Sequence, residues 1–395
     1  MALYNAVSDW RIDHFAAGVK RVLHNTASLS RETFQNWSPQ WINANGVQRL
    51  VIPKTTEVPE SEIVQNRDAS VTPPAFNRLT SDTEIVDAPP IFDIYYDIDH
   101  IDATDTNRAA MIAQGDEHMR TFGRKYDASI AEVAAVEAVT VQGEVGGNPF
   151  APSITNGQIN LNQTPEDLDV PYQTLAENNV DMSNLTGYVR PALATRIRQA
   201  PGFNRADRTG QDAVTRNRTA DLQGQIAGVS WRQSTNLRNL PQGTGVVAAA
   251  AAIGANAEEG RFDGAGTIVK GEVLRNGNQY FRMRGAKEAG AAATIAFQRV
   301  GGTAANVADN QNFTRVAVPY SIVGNFRQAL VALMLPVLPP DFTGVSRTVT
   351  DPDTGHQLTI QRQDDIGTAS FTRYWLKARW ATYALRPEAI HLVIG

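Results

Sequence analysis

The string Gly243-Thr-Gly245-Val-Val-Ala248 has the glycine spacing of a turn that offers backbone N–H groups to a pyrophosphate. Such a turn follows a buried apolar strand, and Arg238-Asn-Leu-Pro-Gln242 is not one. The string therefore reads as an entry into the Ala-rich stretch behind it. Asp97, Asp99 and Asp102, with Asp105 beyond, could gather around calcium, but the glycine and bidentate glutamate of a calcium loop are missing. From Asp82 to Asp105 there are eight acids and no Lys or Arg. A solvated strand face running into a helix N-terminus explains this, and a partner's arginines would suit it. Residues 190–238 hold nine arginines against three aspartates. Phosphate is one outlet for that charge, yet only Phe203 and Trp231 interleave as stacking rings. Salt-bridging to an acidic surface of another subunit accounts for it equally. The six histidines are scattered, and no Gly-x-Ser-x-Gly elbow occurs. No catalytic constellation emerges, so neither enzyme activity, cofactor nor metal is expected.

The elements that carry these residues belong to a folded, charge-poor chain. Of 395 residues 42% are hydrophobic and 19% charged, which excludes disorder, and the formal charge of −5 gives no global pull toward nucleic acid or acidic lipid. With no cysteine, disulfides, thiolate metal sites and thiol catalysis are excluded together. The longest apolar run, Ala329–Leu338, is too short to span a bilayer, and the segment MALYNAVSDWRIDHF is too charged for a signal peptide. A soluble protein folding in a reducing cytosol is expected. Lysine occurs six times among 36 basic residues. The arginine excess suits extensive partner contacts, although base composition explains it as well.

Along the chain, Ile12, Phe15, Val19 and Val22 predict a short amphipathic helix. Residues 47–90 read as a long extended hairpin, because a structureless loop of that length does not fit inside a compact domain. Residues 91–99 alternate, with Phe92, Ile94, Tyr96 and Ile98 on one face. A long helix follows, from Thr104 or Asp105 to about Val139, with Ile112, Met119, Phe122, Tyr126, Ile130 and Val133 as its stripe. Thr164-Pro165-Glu166-Asp167 starts another helix that ends near Asn178-Asn179. A short helix is predicted over 191–199, a glycine- and alanine-rich module with its own hairpins over 243–310, and a helix from Asn325 to Leu335 stopped by Pro336. Strands are predicted at 357–362, 371–378 and 389–394.

This order of elements resembles the major capsid (coat) protein of tailed double-stranded DNA bacteriophages, in the short-tailed branch whose coat proteins carry an inserted domain. The strings behind the resemblance are Gly123-Arg-Lys-Tyr-Asp127-Ala-Ser-Ile-Ala-Glu-Val, Leu175-Ala-Glu-Asn-Asn-Val180, Tyr188-Val-Arg-Pro191-Ala-Leu, Gly224-Gln-Ile-Ala-Gly228-Val, Asn325-Phe-Arg-Gln-Ala-Leu-Val-Ala-Leu333 and Ala384-Leu-Arg386-Pro387-Glu388. It implies an α+β fold with an N-terminal arm (1–46), an E-loop hairpin (47–90) and a peripheral domain with a spine helix (91–164, plus strands at about 365–395). An axial domain (165–242 and 319–364) and an inserted β-rich module (243–318) complete it. The spine-helix core would be Ile112, Phe122, Tyr126, Ile130 and Val133. The implied function is a non-enzymatic virion shell, assembled in the host cytoplasm from hexamers and pentamers around double-stranded DNA bound without sequence specificity. Implied partners are a scaffolding protein, a portal at one vertex and, in some shells, a decoration protein, with no membrane. Contacts between subunits are expected at Trp10, Phe15, Val19, Lys54, Arg67, Arg78, Asp97, Asp99, Arg196, Arg198, Arg205 and Arg208. Lys54 is the only lysine of the hairpin, which argues against covalent cross-linking through it. The rivals are an encapsulin-like compartment of the same fold, a nucleic-acid-binding module using the 190–238 arginines, and a dinucleotide-dependent oxidoreductase resting on Gly243–Ala248.

Overall fold

The computed structural model describes residue 29, 35–36, 49–53, 83–87, 89–99, 108–142, 166–191, 194–195, 224–226, 228–301, 304–337, 345–350, 357–364 and 371–394. Strand content exceeds helix content within an α+β arrangement of two mixed sheets, one closed barrel and one long helix.

The first sheet is organised by strand β19 (Phe371–Ala384). Its residues Tyr374, Leu376, Ala378 and Trp380 are buried and Arg373, Trp375, Lys377 and Arg379 between them half-buried, the period-two signature of one covered face. Strand β4 (Ile91–Asp99) runs antiparallel to it, Asp99 opposite Phe371 and Ile91 opposite Arg379. The helix α1 (Arg108–Glu137) lies on the covered face. Phe122 and Tyr126 meet the Trp380 ring edge-on at 4.8 and 5.5 Å, while Phe92 stacks on it at 3.8 Å. Met119, Phe122, Tyr126 and Ile130 are buried as the spacing predicts, and Val133 is half-buried. Ile112 lies in the helix, but its side chain is outside the described residues. Ala131, Ala134, Ala135 and Ala138 are fully buried, and their small side chains let the helix approach its neighbours closely.

The same sheet corrects one expectation. Residues 325–335 form a single helical turn, α3 (Phe326–Ala329), and then strand β16 (Leu330–Pro336), antiparallel to β19. Every residue from Leu330 to Leu335 is buried. An unbroken apolar run suits a strand covered on both faces as well as a buried helix, and the pairing partner decides between them. On its other side β16 takes β1 (Gln35–Asn36) in parallel. Strands β17 (Val345–Thr350) and β18 (Gln357–Asp364) extend the sheet beyond β19.

The second sheet has the order β5 (Thr140–Gln142), β20 (Ile390–Ile394), β15 (Tyr320–Gly324), β6 (Thr186–Val189), β8 (Val229–Gln233), β7 (Gly224–Ile226). Helix α2 (Glu166–Glu177) packs against it. Gly187 faces Trp231 across the parallel β6–β8 pair, and a Cβ there would stand 2.7 Å from the indole. The C-terminal strands thus divide differently from the expected split near residue 364. β16, β17 and β18 share the sheet of β4, whereas β20 closes the sheet of β6.

Between β8 and β15, both neighbours of β6, the chain closes a six-stranded antiparallel barrel. Its strands are β9 (Val247–Ala249), β10 (Glu259–Asp263), β11 (Val273–Asn276), β12 (Gln279–Met283), β13 (Ala293–Gly301) and β14 (Asn312–Arg315). Phe262, Phe281, Phe297 and Phe313 fill it with edge-on and tilted ring contacts, a core separate from that of the two sheets.

Candidate assembly surface

A separate ribbon stands outside both sheets. Strands β2 (Arg49–Pro53) and β3 (Thr83–Asp87) pair antiparallel, Leu50 opposite Val86 and Ile52 opposite Glu84, and no third strand joins them among the described residues. Residues 54–82 connect the two strands. Lys54, Arg67 and Arg78 fall in that stretch, outside the described residues. The ribbon returns to the body through Pro89, which is buried, directly into β4.

The solvent side of β4 and β19 presents an aromatic and cationic face. Tyr95 is 61% exposed and Ile91 52%. Tyr95 pairs in register with Trp375, and Arg373 lies 5.8 Å from the Tyr95 ring and 5.5 Å from Trp375. Lys377 approaches Trp375 from the other side at 5.3 Å. These cation–π contacts hold large side chains in place on a rigid sheet, and tyrosine, tryptophan and arginine are the residues that dominate binding energy at interfaces. Asp97 and Asp99 occupy register positions opposite Arg373 and Phe371, their side chains outside the described residues.

The first segment of the chain does not simply project. Leu29 is buried in the main core, its N–H donates to Asp127 Oδ2 at 3.2 Å, and β1 pairs with β16. The arm expected over 1–46 is therefore fastened to its own subunit at residues 29 and 35–36. Asp127, fully buried on α1, also accepts from Asn236 Nδ2 at 3.0 Å. Burial, reinforced by the Asp127 charge, raises the Tyr126 phenol well above its ordinary value. Trp10, Phe15 and Val19 lie outside the described residues.

The glycine string at 243–248 leads into strand β9 rather than a helix, which removes the geometry that the rival dinucleotide turn requires. Its anion position is filled by the chain itself: Glu272 Oε2 accepts from Gly243 N–H at 3.2 Å and Val269 N–H at 3.0 Å, and Arg315 closes on the same carboxylate. Arg190, from the arginine-rich stretch, donates to Asn239 Oδ1 at 3.1 Å. Arg196, Arg198, Arg205 and Arg208 fall outside the described residues. No group of three or more metal-ligating side chains converges among the described residues, and no described helix is long and apolar enough to cross a membrane.

Sequence reasoning missed the seat of the barrel on α1. Arg282 and Arg284 turn toward the end of that helix, and Lys270 reaches Glu137 at 2.6 Å. Burial, and then the neighbouring Arg284, lowers Arg282 to about 9, while Glu137 opposes the shift. The i, i+2 spacing of the two arginines was visible in the strand sequence, but their acceptors lie more than 140 residues away.

No protein-family model and no curated protein matches the chain. Among solved structures, that described as "Mycobacterium phage Che8" is 11% identical with a TM-score of 0.46, covering 90% of this chain and 87% of its own. The capsid of Cyanophage P-SCSP1u is 11% identical with a TM-score of 0.47, covering 87% and 82%. A virus-like particle from Pyrococcus furiosus is 8% identical with a TM-score of 0.43, covering 96% and 98%. Likeness at these values carries no argument about function, which rests on the chain's own geometry.

Proposed function

We propose that this chain is the repeating subunit of an icosahedral shell, a major capsid protein of the tailed-phage type that encloses double-stranded DNA. The observation that supports this most is the β2–β3 ribbon, two strands that join no sheet among the described residues. Such a pair is marginal in water unless a further strand or an apolar surface covers it. Leu50, Val51 and Ile52 on one strand and Ile85 and Val86 on the other are apolar by residue type. A neighbouring copy is the natural cover, because a closed shell is built from head-to-tail contacts in which one patch meets a different patch.

In this reading Trp10, Phe15 and Val19 of the first segment and Lys54, Arg67 and Arg78 of the hairpin lie on adjacent subunits. Asp97 and Asp99 face Arg196, Arg198, Arg205 and Arg208 of another copy. The sheet of β4, β16, β17, β18 and β19 with α1 forms the peripheral domain, the sheet of β6, β8, β15 and β20 with α2 the axial domain, and 243–318 the inserted module, in place of the expected boundary at 364. Hexamers and pentamers assemble with a scaffolding protein and a portal in the host cytoplasm, a decoration protein being optional. Co-expression with the scaffolding protein of the same genome, followed by negative-stain microscopy, is expected to show closed particles. Monomers that persist under every condition would overturn the reading. Particles that close without scaffold around a protein cargo would move it to an encapsulin-like compartment.

A further inference from the structure

The spine helix α1 ends without a basic residue in its last turn, and the final carbonyls of any helix lack donors within it. Here the barrel supplies them. Arg282 donates to the carbonyls of Ala135, Val136 and Ala138 at 2.6, 2.9 and 2.9 Å. Arg284 donates to Ala138 and Val139 at 2.7 and 2.5 Å. Gln298 Oε1 accepts from both guanidiniums, at 3.4 and 3.0 Å, and holds the two forks in register. Gly271, at φ +86°, lets the barrel close on the helix, since a Cβ there would stand 2.8 Å from Val136 Cγ2.

The same helix end is tied on its other side to the C-terminal strand. Val139 N–H donates to the Pro387 carbonyl at 3.4 Å, and β5 begins at Thr140 in parallel pairing with β20. Barrel, helix and C-terminal strand therefore converge on residues 135–142. The barrel's phenylalanine core is a cluster of its own, while Val273, Tyr280 and Val300 of its strands pack with the main core, so the interior around the phenylalanines does not depend on this seat.

We infer that the barrel acts as the C-terminal cap of the spine helix. Seated, it joins the rear of α1, β5 and β20 into one rigid body. Unseated, it frees the last turn of α1 and β5 together while keeping its own fold. A displacement of the barrel at its outer surface is thereby coupled to the C-terminal strand on the far side of the helix. The coupling belongs to the single subunit and does not depend on whether the chain builds a shell.

Hydrogen–deuterium exchange on the full-length chain tests this, comparing Arg282→Met, Arg284→Gln and the double variant with Lys270→Met. Lys270 touches the Glu137 side chain and no helix carbonyl, so its variant separates a general loss of charge from loss of the cap. Amides of 136–142 are expected to exchange at least tenfold faster in the double variant, with protection kept around Phe262, Phe297 and Phe313. Arg284→Gln, at the more exposed site, is expected to show the same pattern more weakly, and it decides the matter if Arg282→Met does not fold. Unchanged exchange at 136–142, an equal effect of Lys270→Met, or simultaneous loss of protection in helix and barrel would each overturn the inference.

Discussion

His391 shows what a single buried side chain can do to this molecule. It lies in β20 at 1% exposure, its Nδ1 3.1 Å from Thr140 Oγ1, and its Nε2 has no hydrogen-bond partner among the described residues. Burial lowers its pKa from 6.5 to about 4. The unfolded chain therefore binds a proton that the folded chain refuses between those two values. Stability from this residue is fully present above about pH 6.5 and is lost as pH falls toward 4. Each tenfold difference in proton affinity is worth about 1.4 kcal/mol, so wild type is expected to lose on the order of 2–3 kcal/mol between pH 7 and 4.5 relative to His391→Asn. Urea melts of both proteins at the two pH values measure this difference, and parallel losses would remove the role given to the imidazole. Arg282 teaches a related lesson, because a buried guanidinium persists here through helix carbonyls rather than through a carboxylate.

At the scale of elements, close approach sets the second sheet. The parallel pair β6–β8 places the Trp231 indole over the backbone of Gly187, where any Cβ would press into the ring. Gly187→Ala is expected to cost roughly 1–3 kcal/mol, the usual penalty of overpacking, measurable as a lowered unfolding midpoint. The elements with a strong period were legible before folding: α1 from its stripe, β4 from its alternation, α2 from its proline and acids. Where the pattern was uniform rather than periodic, as in Leu330–Leu335, helix and strand were indistinguishable until β19 and β1 appeared on either side. Barrel closure was equally hidden, since the contact between β9 and β14 that completes the ring joins the first strand of the barrel to the last, Ala248 opposite Asn312, and depends on long-range pairing rather than local propensity.

At the scale of the whole molecule, the exposed Tyr95 face separates folding from assembly. Tyr95 is mostly solvated, so Tyr95→Ala is expected to change subunit stability by less than about 0.5 kcal/mol. In the proposed shell the same change is expected to reduce the yield of closed particles severalfold, read by sedimentation at matched protein concentration. Normal assembly by this variant would show that the Tyr95–Trp375 face is not a contact.

The amino-acid sequence alone determined the class of the chain and its periodic elements, because composition and local spacing act within a few residues. Long-range encounters had to be seen in three dimensions. Leu29 is pinned to Asp127, the last turn of α1 is capped by Arg282, and β20 joins the sheet of β6 rather than that of β4. Each links groups about a hundred or more positions apart, and no local preference records which distant donor will reach a given acceptor.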